Sequence, residues 1–149
     1  MNRAFEYVIS KHQKHAGKAA LPQRKTEYSA GYDICLPFDL HLKPTEGKLC
    51  FTDIKCKMPK DEYLMIVIRS SLGIKKLSLM NSMGIIDSDY YNNNNNDGNI
   101  GLPLINNSRQ DIKITAGEPI AQGIFMKYII TDNDDVKALR TGGFGSTKE

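Results

Sequence analysis

Apolar and polar positions alternate in short bursts along this chain, and most bursts close on glycine, proline, asparagine or aspartate. Phe5-Glu-Tyr-Val-Ile9 is β-branched and aromatic, which predicts a first strand. Ser29 to Leu36 runs small residues into a second, and Gly31 there permits close backbone approach. Residues 38–68 alternate apolar runs with Pro44, Gly47 and Pro59, and Asp61 to Ile68 carries the strongest strand pattern of all. Leu79 to Tyr90 reads as strand, turn, strand. Asn81 and the backbone around Gly84 are expected to form a tight hairpin there, because Asn and Gly tolerate positive φ. Ile100–Ile105, Gln110–Ile114 and Ile120–Ile130 predict further strands. No stretch sustains a 3.6-residue period, so helix is expected only as a short turn near Ser71–Leu77. The pattern predicts an all-β fold, a barrel or jelly roll.

Composition narrows the class. A chain of 149 residues fits one domain, and 40% hydrophobic with 25% charged residues describes a folded chain rather than a disordered one. No apolar run approaches the roughly 20 residues of a membrane helix. Glu6 interrupts any signal-peptide core near the N-terminus. Cys35, Cys50 and Cys56 are odd in number and lack CxxC spacing, so reduced thiols are expected rather than disulfides or a zinc site. Together these predict a cytoplasmic protein with no membrane partner. The net charge of +3 is small and scattered. The densest basic stretch, Lys11 to Lys18 with His12 and His15, reads as a solvated connector, and nothing calls for stable nucleic-acid binding.

Candidate chemistry sits at strand ends. Asp87 follows Ile85 and Ile86, placing a carboxylate at the end of a buried strand, where a general base is often mounted. Three residues on, Tyr90 offers a flat ring suited to a sugar or base. Arg69-Ser70-Ser71, directly after the strongest strand, suits phosphate through a guanidinium fork and backbone amides. Gln122 lies amid apolar strand residues and needs a partner, a backbone group or a ligand. Asn92 to Asn96 followed by Asp97-Gly98 reads as a solvated loop with a hairpin turn and no chemistry of its own. The tail from Arg140 to Thr147 sets one arginine, one phenylalanine and hydroxyls among glycines, a composition able to fold over a nucleotide.

Five segments stand in one order: Ala30 to Asp33, Arg69 to Gly73, Asn81 to Tyr90, Gly117 to Gln122 and Arg140 to Thr147. This ordered set resembles the five motifs of the trimeric deoxyuridine triphosphatases (dUTPases), over nearly the whole chain. The resemblance implies a distorted jelly-roll barrel assembled as a homotrimer, with residues 1–139 as one domain and 140–149 as a mobile tail closing over the site. It implies magnesium-dependent hydrolysis of dUTP to dUMP and pyrophosphate, which keeps uracil out of DNA and supplies dUMP for dTMP synthesis. Carried over, Asp87 matches the base for the water that attacks the α-phosphorus. Asn81 and the backbone near Gly84 match the uracil reader, and Tyr90 the ring packed on deoxyribose. Arg69, Ser70, Ser71 and Gln122 match phosphate contacts, and Asp33 the acid that holds Mg2+ through water. Arg140, Phe144, Gly145, Ser146 and Thr147 match the closing tail, with Phe144 over the uracil. In that family each site draws on three chains.

Two departures stand out: the asparagine run intervenes after Tyr90, and Arg140 and Phe144 are one residue closer than in the commonest form. A dCTP deaminase of the same fold would need a catalytic glutamate and cytosine-reading residues in the pocket, and the setting of Asp87 and the Phe144 tail argue against it. A nucleotide-responsive regulatory trimer remains the alternative from another class, with the asparagine run as the only feature pointing to it.

Overall fold

The protein, seen in a computed structural model that describes residues 2–145, is almost entirely β. In chain order the strands are β1 (Ala4–Tyr7), β2 (Tyr32–Cys35), β3 (Leu40–Leu42), β4 (Gly47–Phe51) and β5 (Ile54–Lys57). They continue as β6 (Glu62–Ile68), β7 (Leu77–Leu79), β8 (Gly84–Asp87), β9 (Gly101–Asn106), β10 (Ile112–Ile114) and β11 (Pro119–Lys127). One short helix, α1 (Ser70–Ile74), falls where the sequence predicts it.

The sheet that carries the chemistry is antiparallel, in the order β2-β11-β6-β8. A second, β4-β9-β7, and the pairs β1-β5 and β10-β3 complete the enclosure. Burial follows strand alternation: in β6, Glu62, Leu64 and Ile66 turn inward while Tyr63, Met65 and Val67 are only half-buried. Leu64, Ile66, Leu104 and Ile120 from different strands meet in one core. Burying each such side chain stabilises by roughly 1.5–3 kcal/mol. Glu62, at the inward end of β6, is held by Arg3, whose guanidinium keeps its carboxyl below the usual range. No helix among the described residues is long and apolar enough to cross a membrane.

Four expectations need correction. Leu79 to Tyr90 is not a hairpin: β7 pairs with β9 while β8 pairs with β6, so the turn carries the chain from one sheet to another. Within that turn the positive φ is taken by Ser82, at 67°, not by Asn81 or Gly84. β8 is an edge strand with Ile85 half exposed, not a buried one. At the other end of the sheet, Ile129 and Ile130 do not extend β11. Tyr128 donates its N–H to Asp61 O, and beyond it both isoleucines lie in solvent.

The asparagine run departs furthest from expectation. Asn93, Asp97 and Asn99 are buried, and Lys55 donates to both Asn92 Oδ1 (2.6 Å) and Asp97 Oδ2 (2.9 Å). Asp97 and Gly98 do form a turn with positive φ at both, but it joins the 3₁₀ turn Ser88–Tyr90 to β9 rather than two paired strands. A polar tract is buried here because distant side chains, Lys55 and Asp53, answer its hydrogen-bonding groups.

Candidate active site

Two recesses gather the chemistry-bearing residues, and both lie along the β2-β11-β6-β8 sheet. The first, of about 220 Å³, opens beside edge strand β8. Asn81, Gly84, Asp87, Tyr90, Arg140 and Phe144 line it together, on a floor from Ile66 and the Gly101–Pro103 segment of β9. Asp87 stands there because it ends β8, and Tyr90 because the chain turns in a single 3₁₀ step after it.

Tyr90 is held inward, only 5% exposed, with its hydroxyl donating to Asn99 O at 2.7 Å. Burial pushes the phenol up, against the hydrogen bond from Asn96 and the positive charge of Arg140. It is therefore a neutral ring at physiological pH. Residues 140–144 lie across the mouth. Arg140 Nη2 meets Asp87 Oδ2 at 2.5 Å and its Nε meets Asp89 Oδ1 at 2.7 Å, so the tail arginine holds the Asp87 carboxylate of this pocket and Asp89 beside it. Phe144 packs edge-on against Phe51, with ring centroids 6.0 Å apart.

The second recess, of about 380 Å³, gathers Asp33, Arg69, Ser70, Ser71 and Gln122, with Lys25, Ser29 and Gly31. Register explains the meeting: Asp33 on β2 faces Gln122 on β11, which faces Val67 on β6, two residues before Arg69. Gly31 leaves room for the present position of Gln122, whose Oε1 a Cβ there would approach to 2.2 Å. Arg69 Nε lies 3.5 Å from Asp33 Oδ1, a loose pairing, while Asp33 Oδ2 is buried with no hydrogen-bond partner. A buried, unanswered carboxylate oxygen is costly unless something outside the chain completes it. Among the described residues no group of three or more His, Cys, Asp or Glu could hold a metal by itself. A cation here would therefore be held by Asp33 together with a ligand.

The two recesses are far apart. Asp87 faces Tyr63 on β6, whereas Asp33 is aligned, across β11, with Val67. Three strand spacings laterally and four residues lengthwise put them on the order of 15–20 Å apart. Gly145 has positive φ at 88° and does not line the pocket; Ser146 and Thr147 lie outside the described residues. Sequence reasoning passed over Lys25, Ser29, Phe51 and the asparagines around Tyr90. Of these only Lys25, directly after Arg24, carries a basic charge that the sequence shows.

Comparison with known proteins finds relatives of one family. The dUTPase family model matches residues 17–148. The chain is 44% identical over 148 residues to the deoxyuridine 5'-triphosphate nucleotidohydrolase of Lactococcus lactis, covering 97% of each. It resembles the crystal structure of the dUTPase from Streptococcus mutans with a TM-score of 0.76 and 37% identity, over 87% of this chain and 98% of that one. The dUTPase of Staphylococcus aureus phage phi11, in which a structural Mg(II) ion is coordinated, shares the fold at a TM-score of 0.72 and 19% identity, over 93% of this chain and 99% of that one.

Proposed function

The chain belongs to the dUTPase family, and on that premise we propose how its two recesses act on one substrate. It hydrolyses dUTP to dUMP and pyrophosphate. The observation that carries the site reading is the sorting of side chains: apolar and aromatic walls around Asp87, cations and hydroxyls around Asp33. That is the division a nucleoside triphosphate requires.

The Asp87 pocket takes the deoxyuridine. Asn81 and the adjoining backbone read the uracil edge, Tyr90 packs on the deoxyribose, and Asp87 orients and deprotonates the attacking water. Arg69, Ser70, Ser71 and Gln122 hold the phosphates. Phosphoryl chemistry asks the protein mainly for alignment and charge neutralisation, which these groups supply. Mg2+ fits this set: the unpartnered Asp33 Oδ2 can hold a water of the ion, and Mg2+ commonly keeps several waters and takes few direct carboxylates. Bound with the triphosphate, the ion would neutralise its oxygens.

Arg140 has two sets of partners to choose between. Its guanidinium is paired with Asp87 and Asp89. A triphosphate offers denser negative charge, so Arg140 transfers to phosphate and releases Asp87 to its water. Phe144, Gly145, Ser146 and Thr147 close with it over the nucleotide.

Reacting atoms must approach within about 3–3.5 Å. The separation between Asp87 and Asp33 is too large for one chain to place both on one substrate. The complete site therefore takes its Asp87 pocket from one subunit of a homotrimer and its Asp33 cleft from another. The apolar surface left in solvent supports an assembled state: Ile129 is 97% exposed, Leu139 91% and Val136 75%. The test is pyrophosphate release with magnesium, offering dUTP, dCTP, dTTP and UTP in parallel. Release from dUTP alone is expected. Ammonia from dCTP would mark a deaminase instead, and inertness of the intact trimer toward all four would overturn the reading.

A further inference from the structure

The side chains of Asn93 and Asn96 end on Tyr90 or on other members of the run, while Asn92 and Asp97 turn to Lys55. Asn96 Nδ2 donates to the Tyr90 hydroxyl at 2.7 Å, and that hydroxyl donates in turn to Asn99 O at 2.7 Å. At the near end of the residue, Asn93 Nδ2 donates to Tyr90 O at 2.8 Å. The same amide also donates to Asn96 Oδ1 at 2.8 Å, while Asn93 Oδ1 accepts from the backbone of Asn95 and Asn96. Asn96 Oδ1 additionally accepts from Gly98 N at 3.0 Å.

We propose that this run is the positioning device for Tyr90, holding the ring at both ends and thereby setting the enzyme's discrimination against ribonucleotides. The inference rests on reading Tyr90 as the ring that packs on deoxyribose. A phenol that both donates and accepts has its in-plane bonds satisfied, so the ring cannot swing without breaking one. The support continues outward. Asn99 is fixed by Asp53, its Oδ1 accepting from Asp53 N (2.9 Å) and its Nδ2 donating to Asp53 Oδ1 (2.8 Å). Asp53 in turn accepts the backbone amides of Lys14 and His15.

Rigidity matters because both neighbours of the ring leave little tolerance. On the tail side, a Cβ at Gly143 would meet Tyr90 Cε2 at 2.6 Å, so glycine alone lets the tail land there. On the sugar side, a 2′-hydroxyl is refused only if the ring does not yield. Exclusion by shape is as strong as the wall is stiff, and this wall is braced by amides rather than by packing alone.

Asn96 and Asn93 touch no substrate; they are positioning residues. The experiment compares Asn96→Leu, Tyr90→Phe and the double variant with the parent trimer, reading kcat and KM for dUTP and UTP. For Asn96→Leu, KM for dUTP should rise about fivefold, the loss of one neutral hydrogen bond, with kcat within about twofold. The preference for dUTP over UTP should fall about tenfold. Tyr90→Phe, which keeps the ring and removes the hydroxyl, should do the same, and Asn96→Leu should add nothing in that background. An unchanged preference in folded Asn96→Leu trimers, or two effects that simply add, would overturn the proposal. Should Asn96→Leu fail to assemble, an unchanged preference in Tyr90→Phe overturns it equally. Tyr90→Ala separates this from the premise: a preference unaltered even there removes Tyr90 from sugar recognition altogether.

Discussion

The pocket around Tyr90 and the cleft around Asp33 are finished to different degrees. In the pocket the tyrosine's hydroxyl and carbonyl are paired and the floor is apolar strand. In the cleft a buried carboxylate oxygen has no partner and the nearest cation stands off at 3.5 Å. The roles proposed for the two account for the difference. Recognition of a base and a sugar depends on shape, which must exist before the ligand arrives. Binding of a triphosphate depends on charge, and a cleft that already satisfied its own charges would have nothing left to offer. The pocket is therefore built from packing and closed hydrogen bonds, and the cleft is left electrostatically incomplete.

The strongest way to break this division is to put the two halves on different subunits. Asp87→Asn should lower turnover by about 10²–10⁴ while a non-hydrolysable dUTP analogue still binds. Asp33→Asn should be comparably inactive through loss of the phosphate-side carboxylate. Mixed and reassembled in equal amounts, the two dead variants should recover on the order of a quarter of parent activity, because random trimers place an intact Asp87 opposite an intact Asp33 in about that fraction of sites. Native mass spectrometry verifies that mixed trimers formed. Silence in such trimers would mean that both carboxylates serve from one chain, against the distance between them.

A smaller effect sharpens the same contrast from the pocket side. Lys55 and Asp97 form a nearly buried ion pair behind the asparagine run. Lys55→Met leaves the buried Asp97 charge without its cation, though the Ile9 amide still donates to it, and should cost about 3 kcal/mol of stability, measured by urea unfolding. It should also raise KM for dUTP, since the run braces Tyr90. A fall in stability with KM unmoved would confine Lys55 to folding.

What could be read from the sequence follows from where each feature's partners lie. Strands β6 and β9 are legible because alternation records burial directly. Asp87 and Tyr90 share a pocket because three residues at a strand end cannot separate far. The meeting of Asp33 with Gln122 is different: it depends on the β2-β11 register, and nothing within either strand encodes it. The order of the five segments suggested that meeting only through resemblance. The asparagine run misled because composition alone points to solvent, while its burial depends on Lys55 and Asp53, about forty residues earlier in the chain. Likewise Ser82, not Asn81 or Gly84, takes the positive φ, because the turn joins two sheets and its shape is set by both.

The mildest test compares a thiol on each side. Cys50 lies in β4 opposite Leu102, a residue of the pocket floor, and burial pushes it up to about 11. Cys56, as fully buried as Cys50, is pushed up to about 12 by burial. Cys35 follows Asp33 by two residues in β2; burial raises it first and the Asp33 charge adds to this, while Lys25 and Arg69 pull it back. A thiol whose folded pKa exceeds its unfolded value of about 8.5 contributes stability that is complete below that pH and is lost as pH climbs through the folded value. Thermal stability should thus be flat from about pH 7 to 8.5 and decline above about 9, as Cys50 and Cys56 come to favour the unfolded chain. In a disulfide-exchange assay at pH 8, half-buried Cys35 should react with the native protein while Cys50 and Cys56 wait for unfolding. Equal rates at all three would mean that the wall behind the pocket opens as readily as the cleft, and the contrast between a finished half and an unfinished one would not survive.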